Sequence, residues 1–191
     1  MPLQWHTFTP GMSLPTSPFI SGFTHLSDLT YVARLELQGR RLVGYMARGV
    51  GYFADCEGSS VVRVKDFFEV LEDCNYSSLC WLSPSEEAQM PANITFLNLS
   101  QTIDEVVYLG QAFCNDGLLS GPVINNKCFI PLESGEVVET SPMTLLAIRN
   151  QEMCGRCGAE LRWSNRHIYH VKRDSVGRPQ YFQQCDQAME T

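Results

Sequence analysis

At 191 residues the chain is the size of one or two domains, and 44% apolar against 18% charged residues excludes a disordered polymer. No apolar run approaches the roughly 18 residues of a membrane helix, which excludes a helical membrane span. The net charge of −7 is uneven: residues 1–148 carry 7 basic and 16 acidic side chains, residues 149–178 carry 7 basic and 3 acidic, so a basic segment follows an acidic body.

In chain order the pattern is β. Residues 29–37 alternate apolar and polar and end at the turn Gln38-Gly39. Residues 41–46 read as the return strand, and 50–54 follow the turn Arg48-Gly49. Residues 60–64 are a short β-branched run. Residues 66–71 fit a strand or one helical turn, because so short a run shows no period. Further strands are expected at 105–109, 111–114, 121–124, 128–130 and 144–148. Between them lie the turn residues Asn115-Asp116-Gly117, Asn125-Asn126 and Ser134-Gly135. Short strands at this spacing predict an antiparallel sandwich or barrel, and no segment predicts a long helix.

The chain repeats itself once, at an offset of about 76 to 78 residues. Trp5 matches Trp81, Pro15 matches Pro91, and Tyr31-Val32-Ala33-Arg34 matches Tyr108-Leu109-Gly110-Gln111. Gly39 and Gly44 match Gly117 and Gly121, and Gly51-Tyr52-Phe53 matches Lys127-Cys128-Phe129. Phe68-Glu69-Val70-Leu71 matches Leu145-Leu146-Ala147-Ile148. The expectation is therefore an all-β chain: two pseudo-symmetric antiparallel β repeats packed together, residues 1–75 and 76–150. A short basic Cys/His-containing tail, 151–191, follows. About 70 residues bury only a thin core, and open strands invite pairing, so the two repeats should pack intimately and the edges invite a homodimer.

The order of these motifs resembles the tandem DM-nine repeat of natterin-like proteins and small invertebrate mannose-binding lectins. Trp5, Pro15, Gly22, Tyr31-Val32-Ala33-Arg34, Gly39, Gly44 and Phe68-Glu69-Val70-Leu71 carry the likeness in the first copy. Trp81, Pro91-Ala92-Asn93, Tyr108-Leu109-Gly110, Gly117, Gly121 and Cys128-Phe129-Ile130-Pro131 carry it in the second, over residues 5–148 in all. In that family a Pro-Gly-Lys follows the Gly turn, and its Lys, with an upstream Asp, grips sugar hydroxyls. This chain has Val43-Gly44-Tyr45 and Ser120-Gly121-Pro122 at those places. The family's Gly-Gly-Lys-Glu turn is reduced to Asp55-Cys56-Glu57-Gly58 and Glu133-Ser134-Gly135, and the upstream Asp position falls near Thr24, with Asp28 close by. The resemblance implies the scaffold and a mannose-type glycan as ligand, with the usual sugar contacts largely replaced.

A sugar site needs planar polar groups for vicinal hydroxyls and an aromatic face for the C–H patch. In the first copy Asp28, Tyr45, Arg48, Tyr52, Asp55 and Glu57 are candidates; in the second, Asn115, Asp116, Asn125, Asn126 and Glu133. The same residue types also build ordinary solvated turns.

Eight cysteines are present. The opening Met1-Pro2-Leu3-Gln4-Trp5-His6 shows no basic or apolar leader, so the expectation is a cytoplasmic chain with reduced thiols. On that expectation the Asn-x-Ser/Thr sequons at Asn75, Asn93 and Asn98 are chance matches. Cys56, Cys74, Cys80, Cys114 and Cys128 read as packed thiols. Cys154-Gly155-Arg156-Cys157-Gly158 has the spacing of a zinc knuckle, with Cys185, His167 and His170 as further ligand candidates for a structural Zn. His167 and His170 share one side in a helix or turn, but not in an extended strand. A disulfide, a redox pair or plain thiols remain open for Cys154 and Cys157. Arg156, Arg162, Arg166, Lys172, Arg173 and Arg178 alternate with Trp163, Tyr169 and Tyr181-Phe182, a mixture that can stack bases or contact the acidic body of its own chain.

No P-loop, dinucleotide, nucleophile-elbow or zincin motif occurs, so no enzymatic activity is expected. The leading reading is a non-enzymatic carbohydrate-recognition module. The alternative is a protein or nucleic-acid interaction protein acting through the tail, with nucleic acid the less expected partner and a membrane not expected. A third reading is a Cys-dependent enzyme.

Overall fold

The computed structural model describes residues 3–55, 59–73, 79–84, 94–99, 106–115, 117–149, 152–153, 160–164, 167–173 and 178–182. The first repeat supplies β1 (Gln4–Phe8), β2 (Ile20–Phe23), β3 (Leu29–Leu37), β4 (Arg40–Ala47), β5 (Val50–Ala54), β6 (Val61–Val64) and β7 (Phe68–Glu72). The second supplies β8 (Leu79–Leu82), β9 (Ile94–Phe96), β10 (Tyr108–Cys114), β11 (Gly117–Ile124), β12 (Lys127–Pro131), β13 (Val137–Thr140) and β14 (Thr144–Arg149). The tail forms a separate antiparallel meander of β15 (Glu152–Met153), β16 (Glu160–Ser164), β17 (His167–Arg173) and β18 (Pro179–Phe182). The chain is all-β and antiparallel, as expected.

The internal repeat is written in the strand register. Ala33 faces Gly44 across β3 and β4; Gly110 faces Gly121 across β10 and β11, 77 residues on in both strands. Met46 faces Gly51, and Val123 faces Cys128, again at 77. Three equivalences from the sequence shift. Gly117 faces Cys114 as Arg40 faces Leu37, so it takes the place of Arg40 rather than of Gly39. Cys128, not Lys127, takes the place of Gly51. Leu145 pairs with Gly110 as Val70 pairs with Ala33, so Leu145 is the equivalent of Val70 rather than of Phe68. The last shift has a plain cause: from Gly51 to Val70 is 19 residues but from Cys128 to Leu145 only 17, and a two-residue difference keeps each side chain on its face.

The repeats share one sheet and one core. Phe23 of β2 pairs with Leu118 of β11, which carries the sheet from the first repeat into the second. The register between β2 and β3 shifts between Ile20 and Gly22, next to this seam. Gly22 has to be glycine, because a Cβ there would lie 2.0 Å from the Leu118 carbonyl oxygen. Tyr45, Ala47 and Tyr52 pack with Ala112, Cys114, Leu119, Val123, Cys128 and Ile130 from the other repeat. A second mixed cluster joins Val32, Val43 and Leu71 to Leu79, Leu109 and Leu146. Buried hydroxyls stitch the seam: Ser21 meets Thr30 at 3.0 Å and Ser120 at 2.9 Å, while Gln111 Nε2 donates to the Ser21 carbonyl at 2.6 Å. Each of these polar groups has its partner, which is what their burial requires.

Candidate functional site

The site is a cleft of about 450 Å³ between the repeats, lined by Thr24, His25 and Tyr45 from the first and by Cys114, Asn115, Leu119, Leu132, Glu133 and Ser134 from the second. Its first wall is the β2–β3 connection. There the Thr24 hydroxyl accepts the Leu26 and Asp28 amides, each at 3.3 Å, and so fixes where Asp28 stands.

Arg48 is tied to the cleft through Glu133. It sits with Gly49 in the two-residue β4–β5 turn, where both φ values are positive (50° and 76°), as a type I′ hairpin demands. The equivalent turn of the second repeat is Asn125-Asn126, with φ of 51° and 63°, residues that tolerate this conformation far better than arginine does. What arginine adds is reach. One guanidinium nitrogen lies 3.6 Å from Asp28 Oδ2, and another donates to Glu133 Oε2 of the other repeat. The cation thus spans two carboxylates, one from each repeat. The remaining oxygen, Glu133 Oε1, is buried and has no hydrogen-bond partner among the described residues.

Tyr45 forms the floor. Its ring is fully buried and stacks on Tyr52 with centroids 5.3 Å apart, and its hydroxyl donates to the Pro131 carbonyl at 2.8 Å. Burial, reinforced by the negative charge of Glu133 and by Tyr52, pushes that hydroxyl far above the usual tyrosine range, so it stays a donor. Two buried thiols lie in the same core. Burial raises the Cys114 thiol, and burial together with Cys114 pushes Cys128 up to about 12 against one hydrogen bond to Gly121. Neither is an activated nucleophile.

Several candidates from the sequence therefore come together: Asp28, Tyr45, Arg48, Asn115 and Glu133. Others do not. Tyr52 is a core residue, 3% exposed, and neither it nor the cleft-floor Tyr45, 0% exposed, offers an aromatic face to a ligand. Asp55 folds back on its own turn, accepting the Ser59 amide at 2.7 Å and the Ser59 and Ser60 hydroxyls at 2.8 Å each. Desolvation raises its carboxyl, but these hydrogen bonds from Ser60 and Ser59 outweigh it and bring the group down to about 2. Asn125 and Asn126 serve the second repeat's hairpin turn. Glu57, Asp116, Cys154, Cys157 and Cys185 lie outside the described residues. His167 and His170 both belong to the strand β17, and their side chains lie outside what is described. Among the described residues, no three His, Cys, Asp or Glu side chains gather as a metal site.

Sequence reasoning did not find His25, Leu119, Leu132 or Ser134 in the cleft. It also missed the exposed pair Phe23 and Phe113, whose rings meet edge to face at 6.5 Å beside the seam. Ser134 had a signal in the Glu133-Ser134-Gly135 turn; the others become neighbours only through the β2–β11 pairing.

No family model matches the chain, and no curated protein matches it in sequence. Among solved structures it is similar to the crystal structure of the nematode sperm cell motility protein MFP2B, with a TM-score of 0.62 at 16% identity. The match covers 80% of this chain and 48% of that one, so the chain spans about half the length of that protein. At this identity the likeness shows the fold. Among the described residues no helix is long and apolar enough to cross a membrane.

Proposed function

We propose that the chain is a non-enzymatic binding protein that takes a hydroxyl-rich ligand, a mannose-type glycan, in the cleft between its repeats. The observation that carries this reading is the Asp28–Arg48–Glu133 bridge, with Glu133 Oε1 left without a partner among the described residues. A carboxylate oxygen in that state is an acceptor waiting for a donor, and a sugar hydroxyl supplies one. Thr24, His25, Asn115 and Ser134 set further polar groups around the same space. Its volume lies within the roughly 300–1,000 Å³ of small-molecule sites. The resemblance to the DM-nine lectins agrees with this ligand class. In this chain the family's lysine position is the buried Tyr45, and Arg48, three residues on, supplies the cation.

Calorimetric titration with mannosides tests the reading. Arg48→Asn keeps a residue suited to the left-handed turn while removing the cation, and Glu133→Gln removes one acceptor charge. Losing a charge-assisted hydrogen bond of about 1.5–3 kcal/mol weakens binding roughly ten- to a hundredfold. Asp55→Asn should bind as the parent does. A parent that binds no glycan, or an Arg48→Asn protein that binds as tightly as the parent, overturns the proposal.

A further inference from the structure

Two strands with a single neighbour are each other's counterparts. Among the described residues β6, Val61-Val62-Arg63-Val64, pairs only with β5, and β13, Val137-Val138-Glu139-Thr140, pairs only with β12. Arg63 faces Tyr52 and Glu139 faces Phe129, the same place in the two repeats. Both edges are β-branched, and neither contains proline or a bulge among the described residues. At the centre of one stands a cation and at the centre of the other an anion.

The hydrogen-bond phase of each edge follows from its hairpin. The Asp55 amide donates to the Ser60 carbonyl at 3.0 Å, so the bonded pairs along β5–β6 are 53 with 62 and 51 with 64. The N–H and C=O groups of Val61 and Arg63 therefore point outward. The Leu132 amide donates to the Glu136 carbonyl at 2.8 Å, and by the same count those of Val137 and Glu139 point outward. Each edge thus offers the matching half of an antiparallel ladder, centred on Arg63 and on Glu139.

We propose that the chain self-associates edge to edge, β6 of one molecule pairing antiparallel with β13 of a second copy, with Arg63 opposite Glu139. In that register Val62 faces Thr140 and Val64 faces Val138, so partly buried aliphatic groups meet on one face while the ion pair forms on the other. Pairing β6 with β6 would set Arg63 against Arg63, and β13 with β13 would set Glu139 against Glu139. Like charges directly opposite are unfavourable, so the mixed pairing is selected. The present contacts of the two side chains are weak competitors. Arg63 lies over the Tyr52 ring at 5.4 Å, and Glu139 pairs with Lys127 through side chains 53% and 59% exposed. The contact uses a different surface on each partner, so assembly runs beyond a dimer unless the rotation per contact closes a ring.

Sedimentation velocity over a concentration series tests this with Arg63→Glu, Glu139→Arg, the double exchange, and an equimolar mixture of the two single variants. Both side chains are exposed, and circular dichroism checks that each variant folds. Each single variant should associate about tenfold more weakly than the parent, from the loss of an attractive pair and the gain of a repulsive one. The double exchange should restore association, and so should the mixture, in which each protein supplies the edge the other lacks. A parent that stays monomeric throughout, or single variants that associate as the parent does, overturns the proposal.

Discussion

Tyr45→Phe tests how the two repeats are joined. The variant removes one oxygen and leaves the ring in place. In the parent the Tyr45 hydroxyl is the donor to Pro131 O at 2.8 Å, across 86 residues of sequence. Pro131 faces Val137 in the β12–β13 ladder, between the bonded pairs Leu132 with Glu136 and Ile130 with Val138, so its carbonyl points away from β13 and toward Tyr45. Removing the donor leaves a buried carbonyl unpaired, at a cost of about 1–3 kcal/mol, or roughly 2–12 °C in Tm for a chain of this length. The pH dependence adds a second signature. The folded-state pKa is raised above the unfolded value near 10, so the neutral hydroxyl's contribution is fully present below about pH 10 and declines as the pH rises beyond it. Urea melts of parent and variant at pH 7 and above pH 10 should therefore show a clear deficit that shrinks on the alkaline side. Equal stability at pH 7, or a deficit unchanged by alkali, would refute the reasoning.

Two other substitutions follow from geometry. Gly121→Ala places a Cβ 2.0 Å from the Phe129 carbonyl oxygen, a backbone atom that moves only if β11 and β12 separate, so thermal melting should show a loss of about 1–3 kcal/mol or more. Gly39→Ala meets nothing within 4 Å and bears only the strain of φ +77°, so its loss should be the smaller of the two, about 1 kcal/mol. Asp55, held down to about 2, contributes stability that is present above its unfolded value near 4 and is lost as the pH falls through 2. Asp55→Asn should lack that part of the acid dependence, read from urea midpoints between pH 5 and 2.

The strands that could be read from sequence were those whose alternation matched their burial. β3 and β5 occur at the residues expected, since Leu29–Leu37 and Val50–Ala54 are β-rich and end in turns. Residues 66–71, ambiguous in sequence, turn out to be the strand β7 at Phe68–Glu72, because Ala33 and Arg34 of β3 and all of β1 pair with it. β2 was illegible for a physical reason. Its inward residues are Ser21 and Gly22, chosen because the Leu118 backbone and the Ser120 hydroxyl lie against them, and small polar residues look like a loop. The short strands β8, β9 and β13 have too few residues for a period to show. Arg48 and Glu133 were each visible as polar turn residues of separate repeats. That they meet depends on how the repeats pack, which no local pattern encodes. The burial of Tyr45 and Tyr52 was hidden for the same reason, since each ring is covered largely by the other repeat.

The most direct test of the central claim is a broad glycan array, mannosides included, probed with the purified parent and with Glu133→Gln. The account predicts a selective mannose-type signal from the parent and its loss in the variant. A blank array, or a signal that Glu133→Gln leaves unchanged, would contradict it and direct attention to the basic tail.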